Sequence, residues 1–98
     1  MFVGTGYIKI RIYEAYSLKD RRQVLNSITT KLGNKFNISI AILDKGELWN
    51  VAEIGVASVS ASTKMLESVY QKIEDILDDD YRFEVVCFEV EMHKEIQG

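Results

Sequence analysis

The sequence predicts an α+β fold: a four-stranded antiparallel sheet with two helices on one of its faces. Two observations predict it. Apolar residues recur with period two in four segments and with helical period in two others, in the order β-α-β-β-α-β. The length, 98 residues with 47% apolar and 28% charged residues, suits one domain around one core and is too short for two. The whole chain, 1–98, is therefore expected as a single domain.

The first strand is Tyr7-Ile8-Lys9-Ile10-Arg11-Ile12-Tyr13, with three isoleucines on one face and Tyr7, Lys9, Arg11 and Tyr13 on the other. A helix follows from about Leu18 to Lys35. Ser17 and Asp20 are spaced as a capping box at its start, Val24, Leu25, Ile28, Leu32 and Phe36 form its apolar stripe, and Gly33-Asn34 marks a frayed end. Asn37 to Leu43, rich in isoleucine, is the second strand, and Asp44-Lys45-Gly46-Glu47 reads as a turn. The third strand spans about Ala52 to Ser60. The second helix runs from Thr63 to Leu77, capped by Ser60 or Ser62, with Leu66, Val69, Ile73, Ile76 and Leu77 buried. The last strand is Phe83 to Glu91, followed by a tail over 92–98 expected to be loose. The simplest closed solution for this order is the ferredoxin-like sandwich.

Composition narrows the function classes. No apolar run is long enough to span a membrane. The start of the chain lacks the basic and apolar pattern of a secretory signal, and a lone cysteine, Cys87, cannot form an internal disulfide; a cytoplasmic location is expected. The net charge of −3 hides a split. Residues 1–43 hold seven cations against two anions, and residues 44–98 hold five cations against thirteen anions. Such a chain pairs its halves internally or shows a basic surface to an anionic partner.

The focus of that split is Ser17-Leu18-Lys19-Asp20-Arg21-Arg22. Three cations sit where a helix N-terminus already carries partial positive charge, so something anionic is expected beside them. Two candidates exist. Antiparallel helices bring this cluster beside Asp78-Asp79-Asp80 at the end of the second helix, and cross-helix pairing there is the internal solution. The external one is phosphate, which amides and guanidinium groups bind together.

The same residues carry a family resemblance. Ser17-Leu18-Lys19-Asp20-Arg21-Arg22-Gln23-Val24-Leu25, Phe36-Asn37-Ile38-Ser39-Ile40-Ala41 and Leu48-Trp49-Asn50-Val51-Ala52-Glu53-Ile54-Gly55-Val56-Ala57 match, in order, three motifs of the YlxP-like family. The chain is similar to that family over nearly its whole length and departs from it at Ile42, where the family carries Glu, and at Thr29-Thr30-Lys31, where it carries a second arginine-rich position. The resemblance implies a ferredoxin-like fold and a cytoplasmic bacterial protein of unassigned function. It also implies genes neighbouring those for translation initiation factor two, NusA and ribosome-binding factor A, and hence work near ribosomes or RNA.

From these readings the expected phosphate-binding residues are Lys19, Arg21 and Arg22, helped by Lys9 and Arg11. Tyr7 and Tyr13 interleave with Lys9 and Arg11 as base-stacking sheets do, but the third strand, Ile54-Gly55-Val56-Ala57-Ser58, lacks the aromatics of the usual RNA-recognition module. The stripe is more simply an interface or a solvated face. The last strand reads apolar on both faces, Phe83, Val85 and Cys87 on one and Val86, Phe88 and Val90 on the other, so a homodimer is expected to cover the second. Tyr7, Tyr13, Trp49, Val86 and Phe88 are the expected interface residues. Enzyme readings find no support: Cys87 reads as a small core residue, His93 stands alone, no glycine-rich phosphate loop follows the first strand, and no metal or cofactor motif is present. The expected function is a non-enzymatic RNA- or ribosome-associated factor; the alternative is a homodimeric interaction or small-ligand-sensing module with no nucleic-acid partner.

Overall fold

The structure, a computed structural model, describes residues 1–93. The order is β1 (Phe2–Ile12), α1 (Leu18–Lys35), β2 (Ser39–Ile42), β3 (Val51–Ser60), α2 (Thr63–Asp78) and β4 (Phe83–His93). The strands form one antiparallel sheet in the order β2-β3-β1-β4, and both helices cover the same face. This is the predicted ferredoxin-like arrangement. Of the tail expected to be loose over 92–98, Met92 and His93 belong to β4, and the rest lies outside the described residues.

Inward-facing Ile8, Ile10 and Ile12 of β1 meet Ala52, Ile54 and Val56 of β3 in the core, beneath Leu25, Ile28 and Leu32 of α1 and Tyr70, Ile73 and Leu77 of α2. Burying an aliphatic side chain of this size contributes about 1.5–3 kcal/mol, so these stripes fix the helices to the sheet. α1 starts as expected: the Ser17 hydroxyl accepts from the Asp20 amide at 3.1 Å. The Asp20 carboxylate accepts from the Tyr16 amide at 3.0 Å. The helix runs through Gly33 and Asn34 and ends at Phe36, whose amide donates to the Leu32 carbonyl at 2.9 Å. Ser62 caps α2.

β1 begins five residues earlier than the alternation alone marks. Gly4 and Gly6 interrupt the pattern because the ring of Tyr70 lies on them: a Cβ at Gly4 would fall 2.7 Å from the ring, and one at Gly6 would fall 3.0 Å from it. The Tyr70 hydroxyl donates to the Gly4 carbonyl at 2.8 Å and lies 2.9 Å from the Ser58 hydroxyl. Burial pushes the Tyr70 hydroxyl up, so it stays a donor.

β4 corrects the two-faced reading of that strand. Its register on β1 shifts between Lys9, which faces Cys87, and Ile10, which faces Val85. Val86 is thus left without a partner, a β-bulge. The extra residue resets the alternation, so Phe83, Val85, Phe88, Val90 and Met92 share the helix-covered face, while Glu84, Cys87, Glu89 and Glu91 take the open one. The second apolar face expected of this strand is absent: its open side carries Glu84, Cys87, Glu89 and Glu91. Cys87 is correspondingly a half-buried residue of the open face and not a core residue. Burial, then the neighbouring Glu89, pushes its thiol up, which makes it a poor nucleophile.

Candidate functional site

Arg21 decides the site. The apolar stripe of α1 (Leu25, Ile28, Leu32) extends one turn back onto it, and its side chain turns inward, leaving the residue only 4% exposed. Its guanidinium donates to the Leu48 carbonyl at 3.0 Å, to the Val51 carbonyl and to the Asp44 carboxylate. Asp44 also accepts from the amides of Gly46 and Glu53, each at 2.7 Å. Burial opposes its ionisation, but these two amides and the guanidinium outweigh it and hold the carboxyl below the usual carboxylate range. Gly46 takes a left-handed φ of 77° to close the turn around this carboxylate. Arg21 therefore staples the 43–50 loop to the start of α1, with every donor it uses satisfied inside the chain.

The expected cross-helix pairing is corrected here: Arg21 is buried and engaged inside the chain, and its anion is Asp44, not the Asp78–Asp80 triplet. The triplet is split: Asp80 pairs with Arg82, whose Nε donates to it at 2.9 Å and whose Nη2 also reaches the Ser27 hydroxyl of α1 at 3.0 Å. That hydrogen bond with Arg82 is the chief reason the Asp80 carboxyl titrates low. Asp78 and Asp79 are exposed.

The remaining phosphate candidates do not form one patch. Lys19 and Arg22 are exposed on the outer side of α1. Lys9 and Arg11 lie on the open sheet face, across the molecule. Arg11 is paired with Glu84 opposite it and lies over the Tyr13 ring at 5.6 Å. Lys9 and Arg11 share that face with Glu53, Glu84, Glu89 and Glu91, so its charge favours no polyanion.

The expected interface residues also separate. Tyr7 is half-buried on the open face and donates to Glu53; this hydrogen bond, with burial, pushes its hydroxyl up to about 12. Phe88 faces the helices instead. Tyr13, Trp49 at 48% exposure and Val86 at 53% are exposed, as are Tyr16 and Leu48. Among the described residues no cluster of His, Cys, Asp and Glu is arranged to hold a metal, and no helix is long and apolar enough to cross a membrane. The sequence reading missed Asp44, although it lies in the turn that was read, and missed the Tyr70–Ser58–Gly4 latch.

Similar proteins supply a family and no activity. The model of the family described as a protein of unknown function (DUF503) matches residues 3–90. The uncharacterized protein YlxP of Bacillus subtilis (strain 168) is 36% identical over 76 residues, 78% of this chain and 83% of that protein. Among solved structures, the de novo design Foldit4 shares a TM-score of 0.57 at 11% identity, covering 98% of this chain and 100% of its own. SnoaB, a cofactor-independent oxygenase from Streptomyces nogalater, gives 0.54 at 8% identity, covering 100% and 97%. At such identities the likeness extends to the fold alone. The match across 3–90 and the shared sequence of the Bacillus relative place this chain in the DUF503 family, whose function is unknown.

Proposed function

We propose that the chain is a non-enzymatic RNA- or ribosome-associated protein that meets phosphates with the outer side of α1. The observation that supports this most is a pair of exposed cations near the start of that helix. Lys19 and Arg22 are exposed near its start, where its one acidic residue, Asp20, is turned back to the Tyr16 amide, whereas Lys31 lies beside Asp79 and Asp80 at the end of α2. The genomic company that the family resemblance implies points the same way. Compared with the sequence expectation, the contact set keeps Lys19 and Arg22 and loses Arg21, Lys9 and Arg11. Two cations release few counterions, so the interaction is modest and salt-sensitive. Co-sedimentation with ribosomes at low salt tests it. The wild-type chain is expected in the pellet, and the Lys19→Glu/Arg22→Glu variant, with an unchanged circular dichroism spectrum, in the supernatant. Equal pelleting of the two removes the proposal.

A second reading, an interaction module with no nucleic-acid partner, is favoured by Leu48 and Trp49. They stand 59% and 48% exposed on a loop that Arg21 holds still. Exposed tryptophan on a rigid loop suits a protein hot spot. Trp49→Ala distinguishes the two readings, because it leaves ribosome pelleting unchanged under the first.

A further inference from the structure

The open sheet face and the stapled loop together enclose a pocket of about 210 Å³, lined by Lys9, Asp44, Glu47, Leu48, Val51 and Glu53. It lies on the other side of the sheet from α1 and does not depend on the RNA reading. Its charged groups are not equivalent. Asp44 is fully engaged by Arg21 and two amides. Glu53 gives one oxygen, Oε1, to the Tyr7 hydroxyl, leaving Oε2. Glu47 makes no hydrogen bond or ion pair among the described residues. Lys9 is Glu53's direct cross-strand partner, the position at which opposite charges usually pair. Yet Glu53 is turned to Tyr7, and no ion pair or hydrogen bond to the Lys9 ammonium exists among the described residues. Lys9 is half-buried as a residue, and its ammonium has no protein acceptor and stands on the pocket wall with carboxylate oxygens that also lack protein partners.

These charges select the ligand. A metal ion is repelled by Lys9, and a simple anion is repelled by Glu47 and Glu53. A molecule carrying both signs close together satisfies all three. The apolar side chains Leu48 and Val51 complete the wall, and the volume is below the ~300–1,000 Å³ of pockets that hold drug-sized ligands. We infer that this pocket binds a small free α-amino acid as its zwitterion. The ligand carboxylate lies on Lys9, its ammonium on Glu53 and Glu47, and its aliphatic side chain on Leu48 and Val51. Because Arg21 already fixes the loop, the wall needs no ordering on binding.

Titration of the full chain with L-leucine, followed by amide chemical shifts or calorimetry, tests the assignment. N-acetyl-L-leucine, without the ammonium, and L-leucinamide, without the carboxylate, are the paired probes, and acetate is the anion control. Leucine is expected to saturate with shifts centred on residues 9, 47–51 and 53, and each blocked analogue to bind about tenfold or more weakly. Lys9→Gln and Glu53→Gln are each expected to weaken leucine by about the same factor. No saturation by leucine overturns the inference. So does equal binding of leucine and the two blocked forms, or binding of acetate as tight as that of leucine. The analogue series uses the wild-type chain, so it stands even if a variant fails to fold.

Discussion

The guanidinium of Arg21, in the first turn of α1, is held by the carboxylate of Asp44, 23 residues later in the chain. Both side chains are nearly buried, 5% and 10% exposed. Of three cations at a helix start, Arg21 is thus structural, while Lys19 and Arg22 are exposed and make no ion pair among the described residues.

Loss of Arg21 leaves Asp44 buried with its charge and strips the Leu48 and Val51 carbonyls of their donor. Arg21→Met is therefore expected to cost about 3–5 kcal/mol, read as a fall in the urea midpoint. Arg22→Met, at an exposed position beside it, is expected to stay within about 0.5 kcal/mol of wild type. Equal effects would mean that the staple does not hold in solution. Arg21→Lys falls well short of rescue, since an ammonium cannot span a carboxylate and two carbonyls from one planar fork.

The pH dependence has a definite sign. The Asp44 carboxyl titrates lower in the folded chain than in the unfolded one, where it is near 3.9. Its ionisation therefore stabilises the fold fully above that unfolded value, and the contribution is lost as pH falls through the folded one. Asp80 behaves in the same sense, so the comparison must hold it constant. The difference in unfolding free energy between wild type and Asp44→Asn is expected to be flat above about pH 5 and to shrink below about pH 4. A gap that widens on acidification would contradict the assignment.

The Tyr70 latch gives a coupled pair. Gly4→Ala pushes a methyl group against the Tyr70 ring, which backbone and helix hold in place, and is expected to cost about 1–3 kcal/mol. Tyr70→Phe removes the donor to the Gly4 carbonyl and is expected to cost about 1–3 kcal/mol. Because both act on one contact, Gly4→Ala should cost less in a Tyr70→Leu background than alone. Additive costs in thermal unfolding would show that the ring does not rest on that glycine.

What the sequence carried and what it did not follow from the range of each signal. Strict alternation at Ile8, Ile10 and Ile12 and the helical stripes at Leu25, Ile28, Leu32 and Leu66, Ile73, Leu77 are local, and they placed the fold outright and the elements to within a few residues, except for the start of β1, five residues early. The Ser17 cap is equally local. The partner of Arg21 is not, because Asp44 reaches it only once β2 and β3 have paired. The one sequence clue was Arg21 itself, one turn before Leu25 on the buried stripe. The stretch through Gly4 and Gly6 shows no apolar alternation, and its place in β1 depends on Tyr70, 66 residues from Gly4. The bulge at Val86 has no signature in composition: two apolar faces and one reset face look alike until a register is set by β1.

That reset makes the last prediction unusual, since deleting a residue from mid-strand should do little harm. Removal of Val86 leaves Val85 opposite Ile10 and Cys87 opposite Lys9, the pairs already present, so both halves of β4 keep their faces. The deletion is expected to cost less than about 1 kcal/mol, because regular pairing replaces the bulge and no core side chain moves. Removal of Glu89, only three positions on, shifts Val90 and Met92 by one and turns them to the open face while bringing Glu91 inward. A one-residue slip exchanges the two faces of everything beyond it, so this deletion is expected to lose several kcal/mol or the cooperative transition altogether. Urea unfolding of the two deletions, side by side, reads the contrast directly. Comparable losses would mean that Val86 is paired in solution and that the alternation of β4 runs unbroken.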